Sequence, residues 1–180
     1  MGKNDVKMLK LRVPLVIWVG QRSFGLDRAD FDTLEDDDCT YVIYVQTGSI
    51  NDATTYATVN LELRDTYFDR LNLTNLQSWG IMSKNHYYFR RGNLDTFSVK
   101  GKCFKGPICS ITLSHDNKGL SSGWYVDYVQ LTTIAPSRGC RRTYFPVNTW
   151  VAIDKWPYGS ARRGVYLCDE IVRHERKCSY

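Results

Sequence analysis

A chain of 180 residues with 43% hydrophobic, 13% aromatic and 24% charged residues has the size of one domain and enough apolar material for a core, which argues against a multidomain enzyme and against a disordered or collagen-like chain. Lys and Arg number 24 against 19 Asp and Glu, and the split is uneven: residues 1–38 hold six cations and eight acids, leaving 18 and 11, a net charge of +7, for the remainder. That balance suits anionic partners such as lipid headgroups, acidic glycans or acidic proteins, with a merely solvated basic face as the bland alternative.

The chain opens with Lys7, Lys10 and Arg12 ahead of Val13-Pro14-Leu15-Val16-Ile17-Trp18-Val19-Gly20, a basic start followed by apolar residues as in a secretory leader. The run is short, holds a proline and leads into Gln21-Arg22 without a small-x-small cleavage site, so residues 1–38 read either as a leader or as a disordered tail. No later apolar run approaches the roughly 20 residues that a membrane-spanning helix needs.

From there the signals are strands and turns, with little helical periodicity. Tyr41-Val42-Ile43-Tyr44-Val45 is a compact β-branched and aromatic run closed by the turn residues Thr47-Gly48-Ser49. Between Tyr56 and Leu63 the alternation predicts a half-buried strand with Ala57, Val59, Leu61 and Leu63 inward. Arg64–Asp69 turns the chain into Arg70–Leu73, a further strand, and Tyr87–Arg91 is expected as another. Ile108–Leu113 points Cys109, Ile111 and Leu113 inward. In Trp124–Leu131 the phase slips, since Trp124 and Val126 share one parity and Val129 and Leu131 the other; a β-bulge near Asp127-Tyr128 returns all four to the core side. Strands are also expected at Thr143–Val147 and Val165–Leu167. Short, turn-separated strands with one apolar face predict an all-β sandwich.

Six cysteines with no CxxC or CxxxC spacing, beside only three histidines, fit disulfides better than zinc. Cys103 with Cys109 is the first pairing expected, a bridge across a five-residue loop; Cys39 with Cys168 is the second, and Cys140 and Cys178 stay open. Asn72-Leu73-Thr74 is a glycosylation sequon, usable only on the secretory route.

Gly119-Leu120-Ser121-Ser122-Gly123 matches the G-x-S-x-G pattern of a hydrolase elbow. Strands are predicted on both sides of it, whereas an elbow needs a helix after the serine, so Ser121 reads as a hairpin-loop residue. HExxH, phosphate-loop and GxGxxG patterns are missing from the sequence. Asp65, Asp69 and Asp95 could supply oxygen ligands for calcium, with turn formation as the competing role. Scattered positive charge and no recognition fold argue against nucleic acid as a partner.

Four segments in order, Cys39-Thr-Tyr-Val-Ile-Tyr-Val-Gln-Thr-Gly48, Arg91-Gly92-Asn93-Leu94-Asp95-Thr96-Phe97, Cys109-Ser-Ile-Thr-Leu113 and Gly123-Trp124-Tyr125-Val126-Asp127-Tyr128-Val129, resemble the plant stand-alone PLAT (polycystin, lipoxygenase, alpha-toxin) proteins of the embryo-specific subfamily. The resemblance runs from about Cys39 to Cys168, giving a division into 1–38 (leader or tail), 39–168 (domain) and 169–180 (C-terminal tail). It implies a sandwich of two four-stranded antiparallel sheets and a non-enzymatic module that engages lipids, membranes or proteins. Its implied setting is the endoplasmic reticulum or the secretory route, in stress responses and seed development. Relatives carry acids where this chain has Thr66-Tyr67-Phe68, Ser83-Lys84-Asn85-His86 and Arg90, so the calcium that parts of the wider family bind is weakened as a cofactor here, and no other cofactor is implied.

The expected mechanism is adsorption through loop aromatics and cations. Trp79 is the leading wedge, because an exposed indole gains at the headgroup boundary; the competing role is packing at the open end of the sandwich. Lys84, Arg90 and Arg91 lie near the same loops and could meet anionic lipid, and Trp124 is assigned to the core. The alternative is a protein-interaction module whose Tyr87, Tyr88 and Phe89 dock an unidentified protein partner without lipid.

Overall fold

The computed structural model describes residues 38–157 and 159–178, so the leader or tail expected at 1–38 lies, except for Asp38, outside the described residues. Among the described residues the strands are β1 (Asp38–Thr47), β2 (Val59–Asp65), β3 (Arg70–Leu73), β4 (Leu94–Lys102), β5 (Ile108–His115), β6 (Trp124–Ala135), β7 (Gly139–Val151), β8 (Arg162–Tyr166) and β9 (Glu175–Lys177). A 3-10 turn (Leu76–Trp79) follows β3 and one helical turn, α1 (Ile171–His174), precedes β9.

The strands form two antiparallel sheets, ordered β4-β1-β6-β7-β9 and β3-β2-β5-β8. Alternation decides what each buries, because successive side chains point to opposite faces. Tyr41, Ile43 and Val45 of β1 meet Val59, Leu61 and Leu63 of β2, Ile111 and Leu113 of β5, and Phe145 of β7 in one core. The phase slip in β6 is a register shift between Val126 and Tyr128, and Trp124, Val126, Val129 and Leu131 are all buried. Trp124 donates its Nε1–H to Thr47 Oγ1 at 3.0 Å, which satisfies the one polar atom of an otherwise apolar side chain.

Three expectations are corrected. The first sheet has five strands rather than four, because Glu175-Arg176-Lys177, within the segment expected as a tail, adds β9 to the β7 edge. Those charged residues have no apolar alternation to announce a strand. The strand expected at Tyr87–Arg91 is a turn, with Phe89 in the left-handed region (φ 58°) and its side chain buried. The strand of that region is instead β4, disguised because one of its inward residues is the carboxylate Asp95, next to Phe97 and Val99.

The bridges are Cys39–Cys103, Cys109–Cys168 and Cys140–Cys178, not Cys103–Cys109 and Cys39–Cys168. Between Cys103 and Cys109 the chain crosses from one sheet to the other, so each cysteine meets a neighbour within its own sheet. Cys39 sits opposite Gly101 in the β1–β4 ladder, two residues from Cys103, while β5 pairs with β8, which delivers Cys168 to Cys109.

All three bridges gather at one end of the sandwich, where β1, β5 and β7 begin and β4 finishes. At the opposite end β1 finishes at Thr47, β5 at His115 and β7 at Val151, and four connections emerge: residues 48–58, 80–93, 116–123 and 152–161.

Candidate functional site

Three of the four connections at the unbridged end, residues 48–58, 80–93 and 116–123, are tied together by backbone hydrogen bonds. Thr55 N–H donates to Phe89 O at 3.2 Å, Tyr56 N–H to Ser121 O at 3.0 Å and Tyr125 N–H to Ala53 O at 3.2 Å. Side chains add to this: Thr55 Oγ1 donates to Ser122 O at 2.9 Å and Ser121 Oγ to Thr54 O at 3.3 Å. These three loops therefore present their outward side chains from a fixed base.

Those outward side chains are unusually apolar. Tyr56, Tyr87 (71% exposed), Leu120 (106%), Ile153 and Trp156 (88%) stand out from the four connections. Cations are interleaved with them. The Arg90 guanidinium lies 3.9 Å from the Tyr56 ring centroid and 5.3 Å from that of Tyr87, sandwiched where ring faces attract it. Lys84, Arg91 and Lys118 are exposed. Arg91 Nη1 donates to Asn51 Oδ1 at 2.8 Å, linking the first two connections.

Trp79, Lys84, Arg90 and Arg91 all lie between β3 and β4. Trp79 closes the 3-10 turn and is 39% exposed, its Nε1–H directed to Thr74 O at 3.4 Å. Gly80 follows because a Cβ there would run into the Tyr88 hydroxyl, which accepts the Met82 N–H at 3.1 Å. The aromatic triplet is divided: Tyr87 is exposed, whereas Phe89 stacks on Phe97 at 5.7 Å and Tyr88 packs on Phe97 at 5.4 Å. Phe89 is thus core, and the triplet does not form one docking face. Leu120 and Trp156 escaped sequence reasoning, although a large apolar residue between Lys118-Gly119 and Ser121-Ser122 is a readable signal.

The three acids expected as calcium ligands are not brought together. Asp65 and Asp69 bracket the β2–β3 turn at the bridged end, while Asp95, opposite Val45 in the β1–β4 ladder, belongs to the loop end. Asp65 is buried, with Oδ1 accepting the N–H of Tyr67 and of Asp69 at 2.9 Å each and Oδ2 accepting Gly106 N–H at 3.0 Å. Asp95 is fully buried; Oδ2 accepts Phe89 N–H at 2.7 Å and Oδ1 contacts His86 Nε2. Burial pushes its carboxyl above the usual carboxylate range, against the lowering influence of His86 and the Phe89 N–H. A calcium site wants several free, ionised oxygens around one point, and these acids do not fit one. Among the described residues no three His, Cys, Asp or Glu side chains group as metal ligands.

Ser121 is followed by β6, not by a helix. His115 is buried with both nitrogens engaged: Nδ1 accepts Asn117 N–H at 3.1 Å, so Nε2 donates to Val151 O at 2.8 Å. Asn72 is exposed on the edge strand β3.

The family model for the PLAT/LH2 domain matches residues 41–161. The chain is 40% identical to the PLAT domain-containing protein 1 of Arabidopsis thaliana over 125 residues, 69% of each chain. It is also 40% identical to PLAT domain-containing protein 2 of the same plant over 159 residues, 88% of this chain and 82% of that one. Among solved structures, a calcium-dependent 11R-lipoxygenase aligns with a TM-score of 0.51 at 27% identity, over 71% of this chain but only 17% of that one. A coral 8R-lipoxygenase, described as calcium-activated through a C2-like domain, aligns with a TM-score of 0.51 at 23% identity, over 71% of this chain and 16% of that one, and speaks for the fold alone.

Proposed function

We propose that this chain, which belongs to the PLAT/LH2 domain family, is a non-enzymatic module that adsorbs to lipid or membrane surfaces through loop aromatics backed by basic residues. One observation carries the reading: Tyr56, Tyr87, Leu120 and Trp156 are exposed together on the connections at one end, with Lys84, Arg90, Arg91 and Lys118 among them. Exposed apolar side chains gain about 1.5–3 kcal/mol each on full burial, and each cation near an anionic surface adds about 1 kcal/mol. A few such contacts, set against the cost of immobilising the protein, give weak, reversible and salt-sensitive attachment. Trp79, beside the same loops, acts as a further wedge.

Three disulfides among the described residues support a setting in the endoplasmic reticulum or outside the cell, where such bridges persist, with Asn72 as the glycosylation acceptor. The test is flotation with anionic and with zwitterionic vesicles. The protein is expected to rise with anionic vesicles at low salt, to be released at high salt, and to bind less in Trp79→Ala and in Leu120→Ser. Failure to float with any lipid overturns the reading in favour of a protein-interaction module.

A further inference from the structure

The outer face of the five-stranded sheet carries a charged feature that the loop end does not use. In the β7–β9 ladder Arg142 stands directly opposite Arg176, and Arg141 opposite Lys177. Like charges facing each other across strands oppose pairing, yet β9 is held there, with the Cys140–Cys178 bridge beside the ladder. Because side chains alternate, Arg142 and Arg176 share one face of the sheet and Arg141 and Lys177 the other. On the outer face the two guanidiniums line a cavity of about 360 Å³ together with Gln130, Tyr144 and His174. Tyr144 is braced by Tyr128, ring centroids 5.0 Å apart, and the Glu170 carboxylate meets His174 Nε2 at 3.5 Å. Among the described residues, no hydrogen bond or ion pair engages the guanidinium of Arg142 or of Arg176.

We propose that this cavity is an oxyanion site for a phosphomonoester dianion. Two planar guanidiniums offer paired N–H donors that match phosphate oxygens two at a time. A dianion with three terminal oxygens serves both forks and neutralises both charges, whereas a lone carboxylate, with two oxygens and one charge, does not. Gln130 and the Tyr144 hydroxyl add neutral donors, and the Tyr144 ring offers a face to whatever the phosphate is attached to. Bound there, the anion turns the Arg142–Arg176 repulsion into a bridge that fastens β9 to β7.

The probe is phenyl phosphate, titrated into the full chain at low ionic strength by calorimetry, with folding of each variant checked by circular dichroism. Saturable one-to-one binding is expected, weakened about tenfold or more in Arg142→Gln and in Arg176→Gln and left within about twofold in Lys177→Gln, which removes a cation of the same ladder from the other face. With the loop end weakened by Leu120→Ser, phosphatidic acid vesicles held better by that variant than by the Leu120→Ser, Arg142→Gln double variant would place the ester in a lipid headgroup; equal binding by the two would place it in a soluble ligand. Absence of saturable phenyl phosphate binding, or an equal loss in Lys177→Gln and Arg142→Gln, overturns the proposal and leaves only diffuse charge attraction.

Discussion

Replacing Asp65 distinguishes a structural carboxylate from a metal ligand. Its two oxygens accept three backbone N–H groups, from Tyr67, Asp69 and Gly106, and thereby hold the β2–β3 turn against the connection between β4 and β5. Hydrogen bonds to a charged acceptor are worth about 1.5–3 kcal/mol each, and a buried donor left without a partner costs about 1–3 kcal/mol. Two of the three donors lie in an exposed turn where water can replace the carboxylate, so Asp65→Ala is expected to lose about 3–4 kcal/mol rather than the full sum. Asp65→Asn keeps one acceptor for the turn but sets an amide N–H₂ against the Gly106 N–H, for a loss of about 2 kcal/mol. Urea unfolding with bridges intact measures both, and an unchanged m-value would show that the native state alone is affected. Addition of calcium should leave the stability of the parent chain unchanged, since a ligand that binds only the folded state must raise it. A loss below about 1 kcal/mol in Asp65→Ala, or a calcium-dependent rise in Tm that the substitution abolishes, would refute the assignment.

The Trp124–Thr47 pair predicts non-additivity: Trp124→Phe should cost about 2–3 kcal/mol from the lost hydrogen bond and the space left behind, Thr47→Val about 1–2 kcal/mol from a stranded indole N–H, and the double substitution less than their sum in a double-mutant cycle. Asp95 predicts a pH effect of definite sign. Its carboxyl titrates higher in the folded than in the unfolded chain because it is buried, so the folded state binds the extra proton. In a His86→Gln background, stability relative to the further substitution Asp95→Asn should rise as pH falls from neutral through the folded-state titration and level off below the unfolded one, as read by unfolding at a series of pH values. A difference that shrinks on acidification would contradict it.

How much was legible follows from where the side chains spend their chemistry. β2, β5 and β6 could be read because apolar residues occupy nearly every inward position, and the slip in β6 betrayed its bulge. β4 escaped because Asp95 takes an inward position as a buried acceptor for the Phe89 N–H, a role fixed only by a tertiary neighbour. β9 escaped because an edge strand of charged residues is held by a ladder and a bridge rather than by burial. The disulfide pairing failed for the same reason: proximity in sequence suggested Cys103 with Cys109, while membership of a sheet decides it. In the loops, Trp79 could be named as a candidate wedge with packing as its competing role, but Tyr56, Leu120 and Trp156 are united only by topology, which brings connections separated by up to a hundred residues to one end.

The separation of the two ends has a consequence for how such a module can vary. Each bridge closes a long loop of the unfolded chain, with sequence separations of 64, 59 and 38 residues, and long closures remove much of its entropy, about 3–5 kcal/mol apiece in the chain-entropy account. That stabilisation resides where β1, β5 and β7 begin and does not depend on the tips of the opposite loops. Three of those loops are joined through main-chain donors and acceptors, Thr55 to Phe89, Tyr56 to Ser121 and Tyr125 to Ala53, which do not depend on the identity of the outward side chains. Leu120 can therefore be exchanged at small cost to the fold, and Tyr56 and Tyr87 at the cost of their contacts with the Arg90 guanidinium, whereas Asp95 and Phe89 cannot, because the carboxylate holds the Phe89 N–H and the ring packs on Phe97 in the core. A surface whose chemistry can change without disturbing its support is what a family of adsorbing or docking domains requires, and here the strand topology supplies it.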